Sequence, residues 1–365
     1  MNVQSYIDTQ DTFLNDEIIN IKSDQDIVLA NQDAINKIYA SRWLRDATAN
    51  PFTLLHFSDI HRGVNPLKRI ITFKNFLQNK NLLNDTICTG DLVKNSTDEQ
   101  AAYQDFWYNT PGTEDILISI GNHDTYNVGS QPHGKATIEK KNNLFFQTIS
   151  QWGDVIRDGI APYYYKDYPN ELIRLIVVDP SITEDEMDET TWLNNVLSDA
   201  IIKNYAVIVA SHYLRTPSST ATIYDNSWSN NRARLTHEDT MTYDWAGCDI
   251  IDCVTNFINN GGIFVCYLIG HTHTDILAYP TNHPEQLIIH APCASWDRGH
   301  ETTLTTNDLP RFENTKTQDA FNIITVDATN KILKVVRVGS DTTMYMERRQ
   351  AFSYNFLTHN FINIY

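Results

Sequence analysis

The feature that most constrains this chain is a series of short apolar runs, most of which end directly before side chains that can bind a metal. The runs are rich in Leu, Ile and Val and lie at residues 52–57, 86–89, 116–120, 172–178, 206–210 and 263–269. Because they lack polar alternation, they are typical of interior strands covered on both faces. Helical candidates separate them, at residues 67–78, 98–108, 137–152, 190–202 and 249–259. This alternation predicts an α/β fold.

Shorter runs toward the C-terminus predict further strands. They are separated by turns, which favours antiparallel pairing, and they lie at residues 275–279, 286–290, 321–326 and 332–338. We expect a main domain over residues 49–340, an N-terminal extension (1–48) with an amphipathic helix, and a C-terminal tail (341–365). Residues 216–247 are polar and without periodicity, which predicts an insertion loop or lid.

Composition and charge argue against several classes of protein. Apolar residues make up 41% of the chain, enough for a core, and no apolar run approaches the ~20 residues of a membrane-spanning helix. The N-terminus lacks the pattern of a secretory signal, so we expect a cytoplasmic protein or one associated with a virion. The net charge of −17 opposes binding to duplex nucleic acid. The five cysteines form no CxxC pair and are expected to be reduced and buried.

Five of the runs deliver side chains with nitrogen or oxygen ligand atoms just past their carboxyl ends. In chain order these side chains are Asp59 and His61, Asp91, Asn122 with His123 and Asp124, His212, and finally His271 and His273. In open α/β sheets the carboxyl ends of the strands form the ligand crevice. We therefore expect these five turns to converge on one site.

Each motif alone has a simpler explanation. Asp59 fits a helix cap, the Gly90-Asp91 pair fits an ordinary turn, and a lone His212 is more often a structural histidine. Two imidazoles two residues apart, as in the last turn, are unusual without a cation. The five motifs together favour a metal site.

The ligand set is chemically informative because it contains no thiolate. Carboxylate, amide and imidazole ligands suit Mn, Fe, Co, Ni or Zn and argue against a structural cysteine-type zinc site. The seven candidates exceed what one ion can use beside a reactive water, whereas two ions that share a carboxylate accommodate them. Such a pair would be electropositive within an acidic protein and would attract phosphate.

In chain order, the motifs Asp-x-His, Gly-Asp, Gly-Asn-His-Asp, His and Gly-His-x-His closely resemble those of the calcineurin-like metallophosphoesterase superfamily. The resemblance covers residues 52–275. It implies a four-layer α/β/β/α sandwich with mixed central sheets and a dinuclear metal site at the carboxyl ends of the strands. It also implies hydrolysis of a phosphate ester by in-line attack of a metal-bridging hydroxide.

The same resemblance implies a role for each ligand. One metal is expected on Asp59, His61, Asp91 and His273, and the other on Asp91, Asn122, His212 and His271, with Asp91 as the bridge. His123 is expected to contact the substrate phosphate and to protonate the leaving oxygen, since imidazole as a group can donate and accept protons near neutral pH. Asp124 either holds and polarises His123 or caps a following helix.

Candidates for substrate binding lie outside these motifs. Arg62 follows His61 directly, Arg232 and Arg234 lie in the predicted lid, and Arg298 and His300 follow a predicted strand. Arginines suit phosphate recognition. The alternatives are an ordinary salt bridge for Arg62 and a solvated loop for the arginines of the predicted lid. We expect two divalent ions (Mn, Fe or Zn) and a small phosphate ester, with a diester favoured over a monoester.

A second hypothesis is a structural or interaction subunit of a larger assembly, for example a virion or surface complex, with the hydrolase fold as scaffold. The terminal extensions would then dock onto partners or form an oligomer. The complete ligand set weighs against a purely structural role.

Overall fold

Two β-sheets occupy the centre of the fold. The computed structural model describes residues 50–61, 64–93, 104–124, 142, 152–179, 189–214, 221–223, 250–271, 277–280, 283–291, 293–294, 319–339 and 351–364. The strands in chain order are β1 (Phe52–Phe57), β2 (Asp85–Cys88), β3 (Leu117–Ile118), β4 (Val155–Arg157), β5 (Tyr164–Tyr168), β6 (Ile173–Val177), β7 (Ala206–Ala210), β8 (Ala221–Ile223), β9 (Ile263–Ile269), β10 (Leu277–Pro280), β11 (Ile288–His290), β12 (Ala320–Asp327), β13 (Ile332–Gly339), β14 (Ala351–Asn355) and β15 (Asn360–Ile364).

The first sheet has seven strands in the order β15-β14-β13-β12-β1-β2-β3. Strands β1, β2 and β3 run parallel, and β12 pairs antiparallel with β1. The second sheet has eight strands in the order β4-β5-β6-β7-β9-β11-β10-β8. Its neighbours from β6 to β11 run parallel. Each sheet therefore presents a group of carboxyl ends at one edge.

Helices cover the outer faces of both sheets. They are α1 (Val64–Asn79), α2 (Glu189–Lys203) and α3 (Ile250–Asn259), together with a π-helical turn over Gln104–Tyr108. Phe73 of α1 packs against Phe321 of β12, with ring centroids 5.2 Å apart. Helices α2 and α3 contact each other and the second sheet. This arrangement confirms the predicted α/β/β/α sandwich. None of the helices in the described ranges is long and apolar enough to cross a bilayer.

Two of the direct contacts between the sheets lie at the ends of strands of the first sheet. The Tyr164 hydroxyl of β5 donates to the Ile118 carbonyl of β3 at 2.8 Å and accepts from the Ile118 N–H at 3.0 Å. Beyond the end of β1, Ser58 forms a parallel bridge with Cys293, which follows β11. The second contact brings the carboxyl ends of the two sheets together.

Strands β1, β7 and β9 begin and end at the predicted residues. One predicted pairing is wrong, because β11 was expected to be antiparallel. It pairs antiparallel with β10 but parallel with β9. The physical reason is that the chain reverses direction twice after β9, and β11 then inserts between β9 and β10.

Two segments expected to lie outside regular structure contribute strands. Residues 351–364 of the predicted tail form β14 and β15, which extend the first sheet beyond β13. Ala221–Ile223, within the predicted lid, forms β8 and pairs with β10. The N-terminal extension and the rest of the lid lie outside the described residues. The described cysteines are buried, as expected, and form no disulfide; they are Cys88, Cys253, Cys266 and Cys293.

Candidate metal centre

The loops after β1 and β2 are hydrogen-bonded to each other. The Asp59 N–H donates to the Gly90 carbonyl and the His61 N–H to the Asp91 carbonyl, both at 3.0 Å. These bonds continue the parallel pairing of the two strands past their ends. They hold the Asp59, His61 and Asp91 side chains at a fixed separation.

The second sheet adds its ligands from the ends of β7 and β9. The Gly270 N–H donates to the His212 carbonyl at 3.0 Å, which joins the two turns. The His271 N–H donates to Asp59 Oδ2 at 3.0 Å, which joins the second sheet to the first. Side chains more than 200 positions apart in the chain therefore meet at one edge of the sandwich.

The site contains two groups of potential ligand atoms. Within each group the atoms lie within 4.8 Å of one another, and Asp91 belongs to both groups. One group is Asp59, His61 and Asp91, and the other is Asp91, His212 and His271. Asp91 Oδ2 lies 3.8 Å from His61 Nε2 and 3.3 Å from His212 Nε2. A shared carboxylate between two sets of nitrogen and oxygen atoms is the arrangement that a dinuclear site requires.

The backbone is strained at four of these residues. Asp59, His61, Asp91 and His271 have φ values of 55°, 46°, 53° and 71°. Left-handed φ is unfavourable for residues other than glycine and persists where surrounding structure enforces it, often at functional sites. Four of the nine non-glycine residues with positive φ in the described ranges are predicted ligands. The strain therefore coincides with the site.

The orientation of His212 fits a metal ligand. Its Nδ1–H donates to the Thr89 carbonyl at 2.6 Å, which directs Nε2 into the site. Nε2 then faces Asn122 Oδ1 at 3.0 Å. In a neutral ring with this tautomer both atoms carry lone pairs, so a proton on Nε2 or a metal held by both atoms would satisfy the short contact.

The pKa values of His212 and Asp91 also fit a site that holds a cation. Burial alone would lower the pKa of His212, but the Asp91 carboxylate beside it raises that pKa to about 9. Burial alone would raise the pKa of Asp91, but the surrounding histidines, His212 foremost, hold it well below its usual range. The site therefore stabilises positive charge next to a buried carboxylate.

His123 and Asp124 follow β3 and have different environments. The His123 side chain is 30% exposed, and its Nε2 lies 4.0 Å from Asp91 Oδ2. Asp124 is buried, and its carboxylate accepts from the N–H groups of Asp91 (2.9 Å), Gly121 (2.8 Å) and Val93 (3.1 Å). These bonds make Asp124 a clamp on the Asp91 loop, and its expected contact with His123 stays a prediction.

Two glycines allow the turns to approach one another. A Cβ atom at Gly121 would lie 2.1 Å from Asp91 Oδ1, and one at Gly270 would lie 1.8 Å from Ser58 Oγ. Both distances are far inside van der Waals contact. Any side chain at either position would displace a ligand-bearing loop.

Several predicted residues lie outside the described ranges, namely His273, Arg62, Arg232, Arg234, Arg298 and His300. The structure adds two residues that the sequence did not single out. The Thr89 carbonyl orients His212, and the Ser58 hydroxyl donates to the same carbonyl at 3.0 Å. Every residue type has a backbone carbonyl, so the sequence could not identify Thr89 as the acceptor. The only signal for Ser58 was its position directly before Asp59.

A solved structure of low sequence identity shares this fold. A purple acid phosphatase from yellow lupin (Lupinus luteus) seeds matches with a TM-score of 0.51 and 13% identity, over 85% of this chain and 54% of that one. A dimetal phosphatase from Danio rerio matches with a TM-score of 0.49 and 10% identity, over 84% of this chain and 100% of that one. No curated protein matches the sequence significantly.

The family comparison covers the part of the chain that carries the motifs. The model of the calcineurin-like phosphoesterases matches residues 52–275, more than half of the sequence and the same range as the predicted resemblance. The match begins at β1 and includes each of the five ligand-bearing turns. The chain therefore belongs to the calcineurin-like phosphoesterase family.

Proposed function

We propose that this phosphoesterase uses two divalent metal ions to hydrolyse a small phosphodiester. The observation that carries the proposal is the position of Asp91 in both groups of ligand atoms. Family membership implies a pair of divalent ions, and the two groups fit such a site. The nitrogen and oxygen donors favour Mn, Fe or Zn.

The proposed ligands of the first ion are Asp59, His61, Asp91 and His273. Those of the second are Asp91, Asn122, His212 and His271. The buried Asp91 Oδ2 supports this division, because it lies 3.8 Å from His61 Nε2 in the first set and 3.3 Å from His212 Nε2 in the second. When bound, the ions would acidify water and neutralise charge on the phosphoryl oxygens.

His123 is the proposed general acid. Its backbone N–H donates to Asp91 Oδ1 at 2.9 Å, so the turn that carries the imidazole is tied to the bridging carboxylate. In the proposed reaction a water that has given one proton to solvent attacks phosphorus through its oxygen, the bond from phosphorus to the leaving oxygen breaks, and that oxygen takes a proton from His123. The partial exposure of the ring leaves it accessible to substrate.

Charge supports the diester over the monoester. The chain carries a net charge of −17, and a diester bears about one negative charge at neutral pH whereas a monoester bears about two. The surrounding protein therefore repels a monoester more strongly. Arg62, Arg232, Arg234, Arg298 and His300 stay as proposed contacts to the ester.

The test is hydrolysis of bis-p-nitrophenyl phosphate and p-nitrophenyl phosphate by protein loaded with Mn²⁺, together with metal analysis. We expect two ions per chain, faster hydrolysis of the diester, and loss of both activities after chelation. Two bound ions with no hydrolysis of either ester would contradict the proposed activity. Faster hydrolysis of the monoester would contradict the proposed substrate class.

A further inference from the structure

Ser58 lies where four ligand-bearing segments meet. It follows β1, directly precedes Asp59, and is fully buried. Its carbonyl accepts the Ala294 N–H at 2.9 Å, and its backbone bridges to Cys293. The residue is therefore fixed to the second sheet although it belongs to the first.

The Ser58 hydroxyl and His212 share one acceptor. Ser58 Oγ donates to the Thr89 carbonyl at 3.0 Å, and His212 Nδ1–H donates to the same oxygen at 2.6 Å. Thr89 lies two residues before Asp91, and its hydroxyl also contacts His56 Nε2 at 3.0 Å. One buried carbonyl thus links the segments that carry Asp59, Asp91 and His212.

The fourth segment closes over the hydroxyl. A Cβ atom at Gly270 would lie 1.8 Å from Ser58 Oγ and 2.7 Å from Asp59 Oδ2, so the turn before His271 packs directly on this pair. The Ser58 hydroxyl therefore binds the carbonyl of the segment that carries Asp91 and packs against the turn that carries His271.

We propose that Ser58 is a positioning residue that couples the two halves of the metal centre through the Thr89 carbonyl. Its hydroxyl fixes the direction of that carbonyl, and the carbonyl fixes the ring of His212. Groups that orient metal ligands in this way change metal affinity by about 10- to 100-fold when they are removed. This inference rests on the proposed dinuclear site.

The test compares Ser58→Ala with Ser119→Ala in the full chain. Ser119 is a matched control, because it is also buried and its hydroxyl donates to a backbone carbonyl, that of Val178, at 3.5 Å. Mn²⁺ alone is titrated into metal-free protein by calorimetry, and thermal midpoints are recorded for both variants. We expect Ser58→Ala to bind Mn²⁺ about tenfold more weakly, and Ser119→Ala to stay within about twofold of the parent protein.

A second readout follows His212 itself in the metal-free protein. The Nδ1 proton of His212 is observed by ¹⁵N-edited nuclear magnetic resonance, and its resonance should shift in Ser58→Ala but not in Ser119→Ala. The proposal requires both results. Unchanged Mn²⁺ affinity in Ser58→Ala, or equal loss in both variants, would overturn it and leave the proposed function intact. A parent protein that binds no Mn²⁺ would overturn the proposed function as well.

Discussion

Two buried polar regions lie at opposite ends of the strands and differ in how their charges are balanced. At the amino ends, Asp85 accepts from Lys166 Nζ at 2.8 Å and from the Tyr168 hydroxyl at 2.6 Å. Nearby in the second sheet, Arg174 pairs with Asp167 and Asp199. At the carboxyl ends, the ion-pair partners of Asp91 in the described ranges are imidazoles at 3.3 to 4.0 Å.

The contrast separates a stabilising region from a functional one. Lys166 neutralises Asp85, and Arg174 together with Lys203 neutralises Asp167 and Asp199. Histidines do so only when protonated, and several of the residues that surround Asp91 also have strained backbones. The first region is complete as folded, whereas the second needs cations to balance it.

The largest expected effect comes from replacing Asp91 or His123. Asp91→Ala should lose bound metal and activity together, because the carboxylate belongs to both groups of ligands. His123→Ala should keep both ions and lose turnover by about 100- to 10,000-fold, since it removes only the general acid. Metal analysis and diester hydrolysis of the two variants measure this. Equal metal loss in both would refute the division between ligand and acid.

At the other end, Arg174→Ala should reduce stability while sparing the chemistry. The Arg174 side chain is fully buried and also donates to the Val196 carbonyl at 2.6 Å. Its loss leaves Asp167 without its main partner and should cost about 3–5 kcal/mol of unfolding free energy. Urea denaturation measures this, with the exposed Lys203→Ala as a control that should cost about 1 kcal/mol or less. A matching fall in Mn²⁺ affinity would show that the two regions are not independent.

Gly270→Ala should damage the site through crowding. The added methyl group would meet Ser58 and Asp59, and relieving that overlap should cost about 1–3 kcal/mol and weaken Mn²⁺ binding. Gly153→Ala is the control, because it has φ of +62° and open space around its Cβ position. It should cost about 1 kcal/mol through backbone strain and leave Mn²⁺ binding unchanged. Unimpaired binding in Gly270→Ala would mean that the turn tolerates displacement.

Lowering the pH should reduce the free energy of unfolding through two buried histidines, His56 and His290. Burial, aided by Arg337 and His290, lowers the pKa of His56 to about 3, and burial, aided by His271, lowers the pKa of His290 to about 3. The unfolded chain therefore binds more protons between about pH 3 and 6.5. The contribution of these two histidines to stability is complete above about pH 6.5 and falls as the pH drops, by up to about 1.4 kcal/mol per pH unit for each histidine.

The check is the urea midpoint of metal-free protein between pH 7 and pH 5. His56→Gln should show a shallower pH dependence than the parent protein, since one of the two titrating rings is gone. Identical slopes in the two proteins would show that His56 does not titrate in this way.

The strands that could be predicted from sequence are those with continuous apolar runs. β1, β7 and β9 are almost wholly buried, and every position except Thr53 and His56 of β1 carries an apolar residue, so the signal is strong. β5 reads Tyr-Tyr-Lys-Asp-Tyr because its polar residues pair with Asp85 and Arg174, and β14 also mixes polar and apolar residues. Lys166 pairs with a residue 81 positions away and Asp167 with one on the adjacent strand, so the pattern within β5 alone does not reveal why these positions are polar.

The candidate site was more predictable than the sheet edges. Asp59, Asp91 and His212 each follow a strong strand, so their convergence follows from the parallel order of the strands. The hydrogen bonds that hold these ligand loops in place were not predictable, because they are made to backbone groups. The sequence suggested that Asp124 either holds His123 or caps a helix, and it could not show that the Asp124 carboxylate also accepts from N–H groups whose positions only the folded loop defines.

The most direct measurement is a crystal structure of Mn²⁺-loaded protein with anomalous scattering data. The account predicts two peaks about 3.5–4 Å apart on either side of Asp91, one beside Asp59 and His61 and the other beside His212 and His271. A loaded crystal with no peak at Asp91, or with a single ion that contacts only one of the two groups, would contradict it.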